Sequence, residues 1–140
     1  MRNLKVCICL SLIIIFLTGC PSPRWEKYHP AQHPGSYWES EDGNISFVIS
    51  SEGGFHDGII HQNGNDIKMI FSAELLSNMI CAIPPEQFDY EKLKEGIIEF
   101  PERWSICTVE KDMFVVEILV TELLTEGERI TFYRSEQVQR

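Results

Sequence analysis

The sequence predicts an all-β fold, a small antiparallel meander barrel of eight or nine short strands, with one short helix as an alternative near residues 89–95. Two observations lead to it. Apolar and polar residues alternate over most of the chain after residue 36, and turn-forming pairs such as Asp42-Gly43 and Asn63-Gly64 separate the alternating runs. Many short strands at such spacing are typical of a sandwich or a barrel, and closure into a barrel removes exposed edges.

The period of two is clearest near the C-terminus, where Phe114, Val116 and Ile118 alternate with their neighbours. β-Branched and aromatic residues in this pattern favour strands. Asn63-Gly64 predicts a two-residue type I′ hairpin turn, because both positions of that turn need positive φ. The predicted strands cover residues 36–40, 45–50, 55–61, 66–73, 77–83, 95–100, 104–109, 112–121 and 128–134.

Two segments fit the strand pattern less well. Residues 71–80, FSAELLSNMI, contain Ala, Glu and Leu, which favour a helix. We predict a strand, a break at Ser77-Asn78 and a second strand. In the other segment, Asp89 can cap a helix and Gly96 can end it. A helix of one or two turns is therefore as consistent with residues 89–95 as a strand.

The first 19 residues have the organisation of an export signal. Arg2 and Lys5 precede an apolar run from Val6 to Leu17 that only Ser11 interrupts. This run is shorter than the roughly 20 apolar residues that a membrane-spanning helix needs. The pattern therefore indicates a signal peptide.

The end of this run, Leu17-Thr18-Gly19-Cys20, resembles the lipobox of bacterial lipoprotein signal peptides. The resemblance implies that the Cys20 thiol is alkylated with diacylglycerol and that cleavage falls between Gly19 and Cys20. The protein would then be lipid-anchored at the extracytoplasmic face of a membrane, inner or outer. The alternative is an ordinary signal peptide that contains a cysteine by chance.

Four regions follow from these patterns: a signal peptide (1–19), a lipidated cysteine with a proline-rich tether (20–35), a barrel domain (36–136) and a tail (137–140). The tether contains four prolines and few aliphatic residues. Such a composition disfavours both helix and strand. We expect an extended tether that lets the domain stand tens of Å from the bilayer, at about 3 Å per residue.

The charge of the chain limits its partners. Without Arg2 and Lys5, the 12 basic residues fall to 10 against 21 acidic ones, a formal charge of −11. Nucleic acid is excluded as a partner, because phosphate binding needs a basic surface. Anionic lipid headgroups would also repel the domain, so the lipid on Cys20 is the expected contact with the membrane.

Cys81 and Cys107 remain in the mature chain, in the strand-like runs NMICAI and WSICTV. Disulfides persist in exported proteins. The two cysteines therefore either pair across neighbouring strands or are two separate buried thiols.

The residues PGSYWESEDGNISF at the start of the domain, and DMFVVEILV and ERITFYR at its end, resemble the small lipocalin-like domains of bacterial lipoproteins. The tryptophan stands one residue later than in a strict Gly-x-Trp motif. The resemblance implies that Trp38 plugs one end of the barrel and that Arg134 stacks over it as a cation–π pair. The alternative is a half-buried Trp38 and an exposed Arg134.

No catalytic, metal or cofactor site is predicted. His29 and His33 are flanked by prolines, and the odd separation of His56 and His61 places them on opposite faces of a strand. Exposed polar histidines are the expected outcome. Sequence motifs for nucleophilic hydrolysis, phosphate binding or zinc binding are missing from the chain.

Aromatic residues occur on nearly every predicted strand, which favours a filled core over a ligand cavity. We therefore expect a lipid-anchored binding or interaction module that contacts an envelope protein or a small apolar ligand. The alternative is a structural or accessory envelope lipoprotein that acts as a spacer or an assembly partner.

Overall fold

The computed structural model describes residues 23–73 and 78–135, and these form a closed antiparallel barrel of eight strands. Each strand pairs with the next along the chain, and β8 pairs with β1 to close the barrel. The strands are β1 (Tyr37–Ser40), β2 (Ile45–Val48), β3 (Phe55–Gln62), β4 (Asn65–Ala73), β5 (Met79–Ile83), β6 (Glu102–Glu110), β7 (Met113–Val120) and β8 (Arg129–Ser135). The predicted fold class is confirmed.

Local sequence explains most of these elements. Burial alternates along β7, where Phe114, Val116 and Ile118 point inward. Asn63 and Gly64 join β3 to β4 with φ of 53° and 78°, as the type I′ turn requires. The turn also sets the register of the longest hairpin in the barrel.

The predicted strand at 95–100 is wrong. A short α-helix, α2 (Tyr90–Lys94), lies just before it, and Asp89 caps this helix by accepting hydrogen bonds from the Glu91 and Lys92 amides. Gly96 follows with φ of 71°, which ends the helix, and residues 97–100 pair with no strand. The helical alternative near 89–95 is the one that the fold uses. The other ambiguous segment, 74–77, lies outside the described residues.

The expected extended tether is also wrong within the described residues. Pro23–Tyr28 form a short helix, α1, and Pro30–Gln32 form a 3-10 turn. Trp25 and Tyr28 pack against the barrel core, and Pro30 is buried. Prolines are tolerated at the first position of a helix, so Pro23 and Pro30 begin these elements instead of preventing them.

The barrel interior is filled with side chains. Trp38, Phe47, Phe71, Phe114 and Phe132 are each at most 1% exposed, and their rings touch in pairs. Phe114 and Phe132 stack with ring centroids 4.9 Å apart. The filled core that the aromatic pattern favours is what the structure shows for these residues. Such contacts stabilise the fold beyond the burial of apolar area.

Candidate functional site

The candidate site is a groove of about 500 Å³ on the outer surface of β1 to β4. Its apolar wall includes Tyr37, Val48, Ile59 and Pro85. Strand register builds it: Tyr37 lies opposite Val48, and Ile59 lies between Ser46 and Lys68 on the neighbouring strands. Because side chains alternate along a strand, these residues point outward while Phe47 and Ile60 point into the core.

Gly58 lies beneath this groove on β3. A Cβ atom there would sit 2.6 Å from Phe71 Cδ2 and 2.6 Å from the Ser46 carbonyl oxygen. Only glycine therefore lets the Phe71 ring pack directly against the strand backbone. The inner side of the groove floor is consequently tightly packed.

Two charged side chains, Asp57 and Lys68, also line the groove. Ile59 is 37% exposed, which makes it one of the most accessible aliphatic residues of the barrel. An apolar patch flanked by one acid and one base can bind a protein surface through packing and peripheral charge. Because the barrel is closed, strand addition at an edge is not available to a partner here.

Trp38 is buried inside the barrel, and its indole Nε1 donates a hydrogen bond of 2.8 Å to Ser36 Oγ. Arg134 lies opposite Trp38 in the register of β1 and β8. Its guanidinium is exposed, however, and lies 3.7 Å from the Asp112 carboxylate. In the described part of the chain, the cation–ring contacts are those of Lys27 with Tyr28 and Lys94 with Tyr90. The predicted cation–π contact of Arg134 with Trp38 is not one of them.

Cys81 and Cys107 are separate thiols in the structure. Cys81 lies opposite Arg103, and Cys107 is four residues further along β6. At about 3.3 Å per residue this offset is about 13 Å, whereas a disulfide needs Cα atoms within about 7 Å. The register therefore does not bring the pair together. Cys107 is also exposed instead of buried, because it follows the inward-facing Ile106 and so lies on the outer face of β6, where a β-bulge leaves it without an opposite residue on β7.

Two of the four histidines are buried, which corrects the expectation of exposed ones. His29 is fully buried and caps the 3-10 turn by accepting a hydrogen bond from the Ala31 amide. His56 Nδ1 accepts a hydrogen bond of 2.9 Å from the Ser50 amide. Burial lowers the pKa of His56, and the Ala73 carbonyl and Asp57 oppose this effect. His61 is exposed beside Asp66, as the odd spacing from His56 predicts.

Glu102 is a buried carboxylate that the sequence reasoning missed. It is fully buried at the start of β6 and accepts four hydrogen bonds, from Trp104 Nε1, Thr121 Oγ1 and the Glu122 and Leu123 amides. The three bonds from residues 121–123 attach the β7–β8 loop to the barrel wall. The only sequence signal was a single acidic residue in an alternating run at an inward position.

Residues 23–73 and 78–135 contain no group of three or more metal-binding side chains. Within the same residues, no helix has the length and apolar character needed to cross a bilayer. The predicted signal peptide, the cleavage site at Gly19-Cys20 and the tail at 137–140 lie outside the described residues. In comparisons with family models, curated proteins and solved structures, nothing matches this chain.

Proposed function

We propose that this chain is a lipid-anchored extracytoplasmic interaction module that binds a protein partner through the outer groove of its barrel. This groove is the one lined by Tyr37, Val48, Asp57, Ile59, Lys68 and Pro85. The observation that carries the proposal is the contrast between a filled interior and an apolar outer groove. The anchor is supported by the export signal and by the lipobox resemblance at Cys20.

The filled interior favours the protein partner over a small apolar ligand. Lipocalin-type ligand binding needs a cavity inside the barrel, and the Phe47 and Phe71 rings stack there with centroids 5.0 Å apart. Binding therefore falls to the outer surface. A groove with exposed Ile59, aromatic Tyr37 and flanking charges has the composition of a small protein interface.

The test is photo-crosslinking of the full chain in cells, with a benzophenone amino acid at Ile59. Leu119 provides the matched control, because it is 40% exposed and lies on β7, four strands away around an eight-stranded barrel. We expect a discrete crosslinked partner from position 59 and none from position 119. Equal crosslinking from both positions, or none, contradicts a groove-specific partner and favours the spacer function.

The anchor is tested separately. The mature protein should carry diacylglycerol on Cys20, which mass spectrometry of the N-terminal peptide detects. Cys20→Ser should release the protein from the membrane fraction. Two acyl chains bind a protein firmly to a bilayer, and this variant would carry no acyl chain. An unmodified Cys20 in a membrane-free protein contradicts the lipoprotein assignment without affecting the groove experiment.

A further inference from the structure

We propose that the barrel stands end-on at the membrane, with the end that carries α1 facing the bilayer. This inference rests on the proposed lipidation of Cys20. In this arrangement the domain is held in one orientation and does not move on a long extended tether. An anionic lipid surface is the neighbour of the end that carries α1.

The segment that follows the anchor is docked on the barrel. Trp25 and Tyr28 of α1 pack against the barrel core, and His29 is fully buried. The Gly35 amide donates a hydrogen bond to the Ile49 carbonyl at 2.7 Å, and the Ile49 amide donates to the Ser36 carbonyl at 2.9 Å. Side-chain burial and backbone bonds together hold this segment on the barrel.

The chain between Cys20 and α1 is too short to carry the lipid far from α1. Pro23, where α1 begins, is three residues after Cys20. Three residues span at most about 11 Å in any conformation. An undocked chain from residue 20 to residue 35 would span about 50 Å when extended. The lipid is therefore confined near the end of the barrel on which α1 packs.

The strand order defines this proximal end and the opposite distal end. Among the described residues, the proximal end comprises 23–36, 49–54, 78, 110–113 and 134–135. The distal end comprises 41–44, 63–66, 84–101 and 121–129. In an up-and-down barrel, alternate connections lie at the same end, so the connections are assigned by topology. The segment before β1 lies at the proximal end because Ala31 and Pro34 line one surface hollow with residues 49–54.

The two ends of the barrel differ in their numbers of acidic and basic residues. By sequence, the proximal segments contain four acidic and four basic residues, whereas the distal segments contain eleven acidic and three basic ones. The distal acidic residues are Glu41, Asp42, Asp66, Glu86, Asp89, Glu91, Glu95, Glu99, Glu122, Glu126 and Glu128. Anionic headgroups repel that end and tolerate the proximal one, within a Debye length of about 10 Å. Charge and anchor thus favour the same orientation.

The test measures energy transfer from a fluorophore on the full-length lipidated protein to acceptor-labelled lipid. Ser51→Cys places the fluorophore at the proximal end and Thr125→Cys places it at the distal end, each in a Cys81→Ala/Cys107→Ser background. The protein is added to preformed vesicles of phosphatidylcholine and phosphatidylglycerol. Eight-residue tilted strands separate the two ends by about 20 Å, so transfer from position 51 should be several-fold more efficient. Equal transfer from both positions overturns the proposal.

Two further comparisons address the causes. Trp25→Ala/Tyr28→Ala should undock α1 and abolish the difference in energy transfer between positions 51 and 125. Circular dichroism should still show the β signal of the folded barrel. An unchanged difference in transfer overturns the role of docking. In vesicles of phosphatidylcholine alone the difference should narrow, and an unchanged one overturns the role of charge. Vesicle flotation separates this proposal from the anchor itself, because a protein that does not float lacks the lipid and fails before any transfer is measured.

Discussion

Removal of the Glu102 carboxylate should destabilise the protein more than loss of any exposed acid. One oxygen accepts from the Thr121 hydroxyl and the Glu122 and Leu123 amides at 3.0–3.1 Å, and the other accepts from Trp104 Nε1 at 3.1 Å. In Glu102→Ala the indole N–H stays fully buried without its acceptor, which costs about 1–3 kcal/mol. The three loop donors can rehydrate, so each loses only the net value of about 1 kcal/mol. The expected total is about 4–6 kcal/mol.

Glu102→Gln separates the two halves of this network. Its amide oxygen can keep the three loop donors, while its NH2 group opposes the Trp104 N–H, so we expect only the indole's share of the loss, about 1–3 kcal/mol. Glu126→Ala, an exposed change in the adjoining loop, should stay within about 0.5 kcal/mol.

Urea unfolding followed by tryptophan fluorescence measures all three variants, because buried Trp38 and Trp104 report loss of the core. Comparable m-values are needed for the free energies to be compared. A loss below about 1 kcal/mol in Glu102→Ala would refute the reasoning, since it would mean that the indole and the loop find other partners. So would a Gln variant as unstable as the Ala variant.

Three further predictions concern other positions. Gly58→Ala should cost about 2 kcal/mol, because its Cβ overlaps the Phe71 ring, and urea midpoints that match the wild type would contradict this. His56 titrates below its ordinary 6.5 in the folded state, so the unfolded chain binds more protons between the two pKa values. The free energy of unfolding should therefore fall as pH drops below about 6.5 and level off below the pKa of folded His56. His56→Asn should reduce this pH dependence, and its side-chain oxygen can still accept the hydrogen bond from the Ser50 amide. Asp89→Ala should cost about 1 kcal/mol through the lost cap of α2, and amide exchange near Glu91 should rise; unchanged exchange would count against the cap.

Features that depend on near neighbours in the chain were predictable. Alternation in β7, the turn at Asn63-Gly64 and the Asp89 cap each involve residues a few positions apart, so their physical causes can be read directly. The prediction of a strand at 95–100 was wrong. Residues 97–100 pair with no other strand, and α2 lies in the connection between β5 and β6.

The candidate groove and the docked segment could not be predicted in this way. Ile59 and Tyr37 share one surface only because β1, β2 and β3 pair in a particular register. Trp25 and Tyr28 looked like part of a polar, proline-rich tether, since the apolar surface that receives them is built from strands distant in the sequence.

By itself, the sequence determined the all-β class, the meander with its turns and the excess of negative charge, because these follow from local periodicity and composition. The sequence also contains the proposed lipidation site at Cys20. Only the tertiary structure showed that Glu102 and His56 are buried and that Cys81 and Cys107 lie out of register. The physical reason is that burial and register depend on which strands become neighbours, and strand pairing is a property of the closed barrel as a whole.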